Sequence, residues 1–292
     1  MAWSPEPFAF EAIGTHWIIS LPDGLSASMR QNIERLVHER IAVFDKNYSR
    51  FRADSLISEM SQQTGNYLLP TDAKPMFDLY EKLYRLSRGA VTPLIGQVLA
   101  DAGYDAIYSL ETKKLSQPPA WDEVLEYAYP NLLVKKPVLL DFGAGGKGYL
   151  IDIVADLLGA AGLESFIINA GGDIIHRDQS GLSFAVGLEN PDNTQEAVGI
   201  ASLANRSLCG SAGNRRVWRQ FHHIISPFTL SSPRHIKALW TLADSTLLAD
   251  MMATALFFME PSELESFSFE YIIIREDNRV EKSAAFPAKL FV

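Results

Sequence analysis

The sequence predicts an α+β fold of mixed, largely antiparallel sheets with flanking helices, as a single domain over residues 1–292. In the C-terminal half, strand-like runs follow one another without intervening helices, which implies antiparallel pairing rather than a doubly wound parallel sheet. The 292 residues suffice for one large domain or two small ones, and no repeat, low-complexity tract or convincing linker divides the chain. A chain of that size buries about three quarters of its extended surface.

The N-terminal run Phe8 to Ser20 alternates loosely and carries Ile13, Trp17, Ile18 and Ile19, which predicts one strand bulged at Gly14. A long amphipathic helix follows, with the stripe Ile33, Leu36, Val37, Ile41 and Phe44. Asn47 to Arg52 reads as a polar and aromatic turn, Asp54 to Ser61 as a short helix, and about Thr71 to Ser87 as another, ended by Gly89. Between Gly89 and Lys136 the pattern weakens, and Thr92-Pro93-Leu94 and Pro118-Pro119 predict loops around short helices.

From Pro137 the elements sharpen. Strands are expected at Val138 to Phe142, Ser165 to Asn169, Leu182 to Leu188, His222 to Ile225 and Ala238 to Leu242, with a helix from Gly148 to Leu158. A helix from Leu247 to Met259 and a last core strand, Tyr271 to Arg275, complete the set.

Composition narrows the function. Hydrophobic residues at 47% and charged residues at 21% are those of an ordinary soluble globular protein. A net charge of -9 argues against a nucleic-acid binder, which needs many Lys and Arg contacts to phosphate. Nothing approaches the length of a membrane span. Residues Met1 to Pro7 show neither a basic nor an apolar signal region, so the expected compartment is the cytoplasm. Cys209 is the single cysteine, which excludes an intramolecular disulfide and a thiolate-rich zinc site.

Asp250 is the first candidate site residue. It sits in a segment apolar on nearly every side, where a carboxylate is costly unless a cation or hydrogen bond meets it. Thr254 lies one turn on and shares its face, so the two present hard oxygens of the kind Mg2+ takes. A cap to a neighbouring element or a pairing with Arg is the alternative.

Two glycine loops come next. Asp141 to Gly148, including Gly143, Gly145 and Gly148, lies between an expected strand and helix, where backbone N–H groups and a helix N-terminus suit an anion. It reads equally as a tight strand-to-helix turn. It fits G-x-G-x-x-G, but no acid follows the next strand to take a ribose, and Lys147-Gly148 does not complete a Walker A loop. Asn169-Ala170-Gly171-Gly172-Asp173 reads as a ligand loop or as a Gly-Gly-Asp hairpin turn. A third polar loop, Gly210 to Asn214, precedes His222-His223. Neighbours on a strand face opposite ways, so one histidine is expected in a polar cleft and the pair is not expected on one metal.

Taken together, these segments resemble the ApbE family of FAD:protein FMN transferases. The family's D-L-G-x-x-A-K-G-Y is matched by Asp141 to Tyr149, N-A-G-G-D by Asn169 to Asp173, and A-D-A-x-A-T-A by Ala249 to Ala255. Its T-S-G-D or T-S-G-N and its H-I-x-D-P-x-T-G fall at Ser211 to Asn214 and at His223 onward, and Tyr48 to Ser55 looks like its N-terminal flavin-side segment. Order and spacing agree over roughly residues 45 to 260. Ser211-Ala212-Gly213-Asn214 departs from T-S-G-D, Ser226 replaces an aspartate and Leu230 a glycine, positions that the resemblance implies lie on one side of the flavin pocket.

The resemblance implies an ApbE-like flavin transferase fold. It implies FAD as substrate, held by Lys147, Gly148, Asn169, Gly171, Gly172, Asp173, Ser211 and His223, with Mg2+ on Asp250, Thr254 and the Ala144 carbonyl. It further implies that FMN passes to a Thr or Ser hydroxyl of an acceptor protein with loss of AMP, Asp250 and His223 being catalytic. Hydrolysis of FAD to FMN and AMP, or flavin binding without catalysis, are the competing readings.

Overall fold

A computed structural model describes residues 6 to 291. Strands β1 (Phe8–Ala12) and β2 (Thr15–Ser20) form a hairpin. Its turn residues Ile13 and Gly14 both take positive φ, 45° and 73°, which the tight hairpin turn requires. The expected bulged strand is therefore two strands, because Gly14 reverses the chain instead of bending it.

Helix α1 (Ala27–Tyr48) is capped by Ser26, whose hydroxyl accepts the Met29 N–H, and it buries Ile33, Val37, Ile41, Phe44 and Tyr48. Then come α2 (Leu56–Met60), β3 (Gly65–Leu68), α3 (Lys74–Leu86), α4 (Gly96–Asp101), α5 (Trp121–Val124), β4 (Leu125–Ala128) and β5 (Asn131–Val134). The second half contains α6 (Gly146–Ala160), β6 (Phe166–Ala170), β7 (Asp173–Arg177), β8 (Phe184–Asn190), β9 (Asn193–Leu203), β10 (Ser207–Ala212) and β11 (Ile236–Ala243). Helix α7 (Thr246–Ala255) and strands β12 (Glu270–Arg275), β13 (Val280–Lys282) and β14 (Ala288–Leu290) finish the chain.

Eight strands make one sheet in the order β1-β2-β6-β7-β10-β11-β12-β13, with antiparallel neighbours throughout, and two three-stranded sheets, β14-β9-β8 and β3-β5-β4, flank it. The α+β, largely antiparallel expectation holds. Side chains alternate between two cores: Phe166, Ile168, Leu239 and Ile273 join the helices, while Ile167, Trp240, Ile272 and Ile274 pack towards β8 and β9. That is why these strands read as unbroken apolar runs: both faces are covered.

Two expected strands are absent. Val138 to Phe142 is extended, but its backbone bonds run to a helix end and a turn, Val138 N–H to Met60 O at 3.1 Å and Asp141 N–H to Pro93 O at 2.7 Å. His222 to Ile225 is irregular, held by Ser232, whose hydroxyl accepts the His222 N–H at 2.9 Å. Apolar alternation marks both as buried, yet neither finds a strand edge to pair with. In the small β3-β5-β4 sheet each strand is only four residues long, and β4 and β5 lie where the sequence pattern is weak.

Candidate active site

Helices α6 and α7 set the site's centre. Asp152 on α6 caps α7, its carboxylate accepting the Thr246 and Leu247 N–H groups at 2.7 and 2.8 Å. The helices approach closely because a Cβ on Gly148 would lie 2.4 Å from the Thr246 carbonyl oxygen, and one on Gly145 would lie 2.5 Å from Met251. The contact puts Asp250, 6% exposed, over the start of α6, where its Oδ2 accepts the Gly148 N–H at 2.9 Å. Burial raises the Asp250 pKa, and the Lys147 ammonium opposes that rise.

Around this centre lies a cleft of about 980 Å³. Its walls are the end of α1, the segment 48–52, the glycine loop before α6, the β6–β7 turn, the end of β10, the loop after it and α7. Of the residues singled out from sequence, Ala144, Lys147, Asn169, Gly171, Gly172, Ser211, His223, Asp250 and Thr254 line the cleft. Gly148 and Asp173 do not: Gly148 is spent on the helix contact, and Asp173 is buried beneath the wall, ion-paired with Lys147 and within reach of the Gly210 N–H at 3.4 Å.

Asp250 and Thr254 meet on one wall as the one-turn spacing predicts, and Ala144 lies on the same cleft. The second Asp250 oxygen and the Thr254 hydroxyl take no hydrogen bond among the described residues. A carboxylate, a hydroxyl and a carbonyl are the hard-oxygen set that suits Mg2+. Among the described residues no group of three or more His, Cys, Asp or Glu could hold a metal, so ligation would rest on one carboxylate and neutral oxygens, with the remaining positions left to substrate or water. The residues fit the ion on those terms.

The Asn169 to Asp173 segment forms the hairpin turn. Gly171 and Gly172 take φ of 62° and 98° and close the β6–β7 hairpin, while Asn169 Oδ1 accepts the Gly172 N–H at 2.9 Å. That turn is also a wall of the cleft. The Lys147 ammonium reaches the Ala170 carbonyl at 3.4 Å as well as Asp173, which ties α6 to the hairpin.

The histidines divide as expected, for a different reason. His222 is buried, its Nε2–H donating to the Pro233 carbonyl at 2.9 Å and its Nδ1 accepting the Ile224 N–H at 3.3 Å. His223 lines the cleft and donates Nδ1–H to the Arg215 carbonyl at 3.2 Å, which turns its Nε2 lone pair away from that bond. Burial, reinforced by the Arg216 charge, pushes the His223 pKa down from 6.5 to about 4, so the ring is neutral near pH 7. Beyond it, Leu230 keeps φ of 54° in a turn closed from Leu230 N–H to Ser226 O at 2.9 Å. That is a conformation glycine holds without strain.

Sequence reasoning marked Tyr48 to Ser55 as a flavin-side segment by resemblance but did not single out Tyr104 and Tyr108, which complete an aromatic wall with it. Arg50, buried, forms an ion pair with Asp141 at 2.5 Å, lies over the Phe51 and Tyr104 rings, and keeps its Nη2 without a hydrogen-bond partner. Phe51 and Tyr108 stack at 5.4 Å with ring planes 4° apart. All five line the cleft, giving it one end suited to a planar ring. The signal was the Tyr48 to Arg52 segment, but the Asp141 partner lies 91 residues away.

Known proteins resemble the chain along most of its length. The model of the ApbE family matches residues 13–270. The chain is 25% identical over 254 residues to the FAD:protein FMN transferase of Vibrio cholerae, covering 80% of this chain and 74% of that one. It is 24% identical over 306 residues to the FAD:protein FMN transferase of Haemophilus influenzae, covering 94% and 88%. Among solved structures, the flavin transferase ApbE from Vibrio cholerae superposes with a TM-score of 0.79 at 20% identity, over 98% of this chain and 99% of that one. The ApbE protein from Thermotoga maritima gives 0.81 at 17% identity, over 97% of each.

Proposed function

The chain belongs to the ApbE family, and from that premise we propose that it is a FAD:protein FMN transferase, moving FMN from FAD to a Thr or Ser hydroxyl of an acceptor protein and releasing AMP. The observation that carries the reading is the meeting, in one cleft, of the Asp250 and Thr254 oxygens with a neutral His223. The Phe51 and Tyr108 rings suit the flavin end, and the Gly171-Gly172 turn with the Lys147 corner suits the pyrophosphate.

In the proposed reaction the acceptor hydroxyl oxygen attacks the phosphorus of the FMN half. An O–P bond forms, the P–O bond to the bridging oxygen breaks, and AMP leaves with that oxygen. The hydroxyl proton passes to Nε2 of His223, whose tautomer is fixed by the Arg215 carbonyl. A Mg2+ held by Asp250, Thr254 and the Ala144 carbonyl would neutralise charge on the pyrophosphate. Lys147, anchored by Asp173, adds fixed positive charge near the same oxygens, and positioning with electrostatics supplies most of the acceleration, as in other phosphoryl transfers.

Incubating the pure protein with FAD and Mg2+, with and without candidate acceptors, tests this. AMP release that depends on acceptor, with flavin fluorescence retained on the denatured acceptor, is expected. AMP release independent of acceptor would make the protein a FAD pyrophosphatase, and flavin binding without AMP would make it a binder.

A further inference from the structure

Between Glu196 and Asp244 the sequence has six Lys and Arg and no carboxylate, in a chain of net charge -9. Three of those cations are neutralised: Arg206 by Asp244, Arg215 by Glu189 and Lys237 by Asp192. Arg216, Arg219 and Arg234 have no carboxylate partner among the described residues and are exposed. Arg216 lines the cleft, reaching the Tyr104 hydroxyl at 3.3 Å, and Arg219 lies on the same loop. Arg234 joins them through the Gln220 carbonyl, at 3.4 Å from its Nη2.

This basic surface adjoins the proposed point of attack. His223 is bonded to Arg215 in the same loop. The same segment also exposes two large apolar side chains, Val217 at 57% and Phe228 at 54%. Ser226, where the family motif has an aspartate, keeps the whole segment free of negative charge.

We propose that Arg219, Arg234 and the mouth of the cleft at Arg216, with Val217 and Phe228, form the docking surface for an acidic, extended segment of the acceptor protein, whose hydroxyl it delivers to His223. The inference rests on the transfer reading for the identity of its occupant. Charge complementarity selects that occupant: uncompensated guanidinium groups on a strongly acidic protein attract carboxylates and repel cationic partners, and the exposed valine and phenylalanine add apolar anchors. A basic or neutral segment would leave the three charges unmet.

Two fluorescein-labelled synthetic peptides with the same central threonine test it, one flanked by Asp and Glu and the other by Asn and Gln. Each is titrated with full-length protein in the presence of FAD and Mg2+. Anisotropy should give at least about tenfold tighter binding of the acidic peptide at low salt, an advantage that shrinks as salt screens it. The double variant R219E/R234E should abolish the advantage while melting temperature and FAD affinity stay unchanged. Equal affinity for both peptides, or an advantage that survives in R219E/R234E, overturns the proposal. Transfer is read separately as AMP release and peptide-bound flavin. Acidic preference without transfer sinks the transferase reading and leaves the surface standing, whereas transfer to both peptides with equal KM does the reverse.

Discussion

At the scale of single residues, the chemistry turns on which nitrogen of His223 is open. Its Nδ1–H is committed to the Arg215 carbonyl, so only Nε2 can take a proton, and burial beside Arg216 holds its pKa down at about 4. In the proposed transfer the neutral ring is the active form, and it is lost only as pH falls through that value. The acid limb of kcat/KM for transfer should therefore lie near pH 4, with no loss attributable to this ring between pH 5 and 8. A limb centred near the ordinary histidine value would refute the assignment. His223→Ala should slow transfer by roughly 10²-fold or more, the scale of a positioned acid or base, with FAD affinity little changed. His222 has a different job: it is buried and makes two ring hydrogen bonds within its own loop. His222→Ala should cost about 1–3 kcal/mol of stability and spare catalysis, and the opposite pattern in kinetics and melting would exchange the two roles. Asp250→Asn separates ligation from structure, because an amide oxygen still accepts the Gly148 N–H. Mg2+-dependent turnover should vanish while the melting temperature stays near that of the parent, and full turnover in the variant would make Asp250 structural.

At the scale of elements, the glycine loop before α6 shows what was legible and what was not. Its position between an extended segment and a helix could be read from Asp141 to Gly148, and the Asp250-Thr254 face from its spacing. Both depend on contacts close in sequence. Hidden from view was that Gly145 and Gly148 admit α7, about a hundred residues away, and that Gly148 therefore does not reach the cleft. Val138 to Phe142 misleads in the same way, since its apolar pattern records burial while its hydrogen-bond partners, Met60 and Pro93, are fixed by tertiary packing. Of the aromatic wall only the Tyr48 to Ser55 side was legible, because Tyr104, Tyr108 and the Arg50–Asp141 pair join it only in the fold. A pair of substitutions on one helix tests the α6–α7 contact. A methyl at Gly148 meets the Thr246 carbonyl oxygen at 2.4 Å, whereas one at Gly159 meets nothing within 4 Å. Gly148→Ala should destabilise by about 1–3 kcal/mol and reduce turnover by moving Asp250, as overpacking of a tight contact does. Gly159→Ala should be neutral or stabilising by up to about 1 kcal/mol, since alanine favours a helix interior. Equal denaturation midpoints for the two variants would show that the helices do not need the close approach.

At the scale of the whole molecule, the eight-stranded sheet holds two cores apart, and the cleft opens where the β6–β7 turn and the end of β10 meet the start of α6 and the Asp250–Thr254 face of α7. Elements from Ile13 to Phe258 contribute to its walls, so the site exists only in the assembled fold. Its extent bears on what it holds. A volume of about 980 Å³ is at the large end for small-molecule sites, which run to about 1,000 Å³. It joins an aromatic end at Phe51 and Tyr108 to a polar centre at Lys147, Gly171 and Asp250, and FMN, which lacks the AMP half, is a smaller molecule than FAD for a cleft of that extent. Both nucleotide halves should then contribute to binding, so the protein should prefer FAD to FMN. Thermal unfolding reads this through linkage, because a ligand at a hundred times its Kd stabilises the folded state by about 2.7 kcal/mol. For a chain of 292 residues that corresponds to a rise of roughly 4–5 °C in Tm. FMN at the same concentration should produce a smaller rise, and adding Mg2+ should enlarge the FAD effect in the parent but not in Asp250→Asn. Calorimetric titration gives the two affinities directly. Equal or tighter binding of FMN would mean that the AMP half finds no seat in the cleft, and the dinucleotide assignment would fall while the metal assignment at Asp250 could still stand.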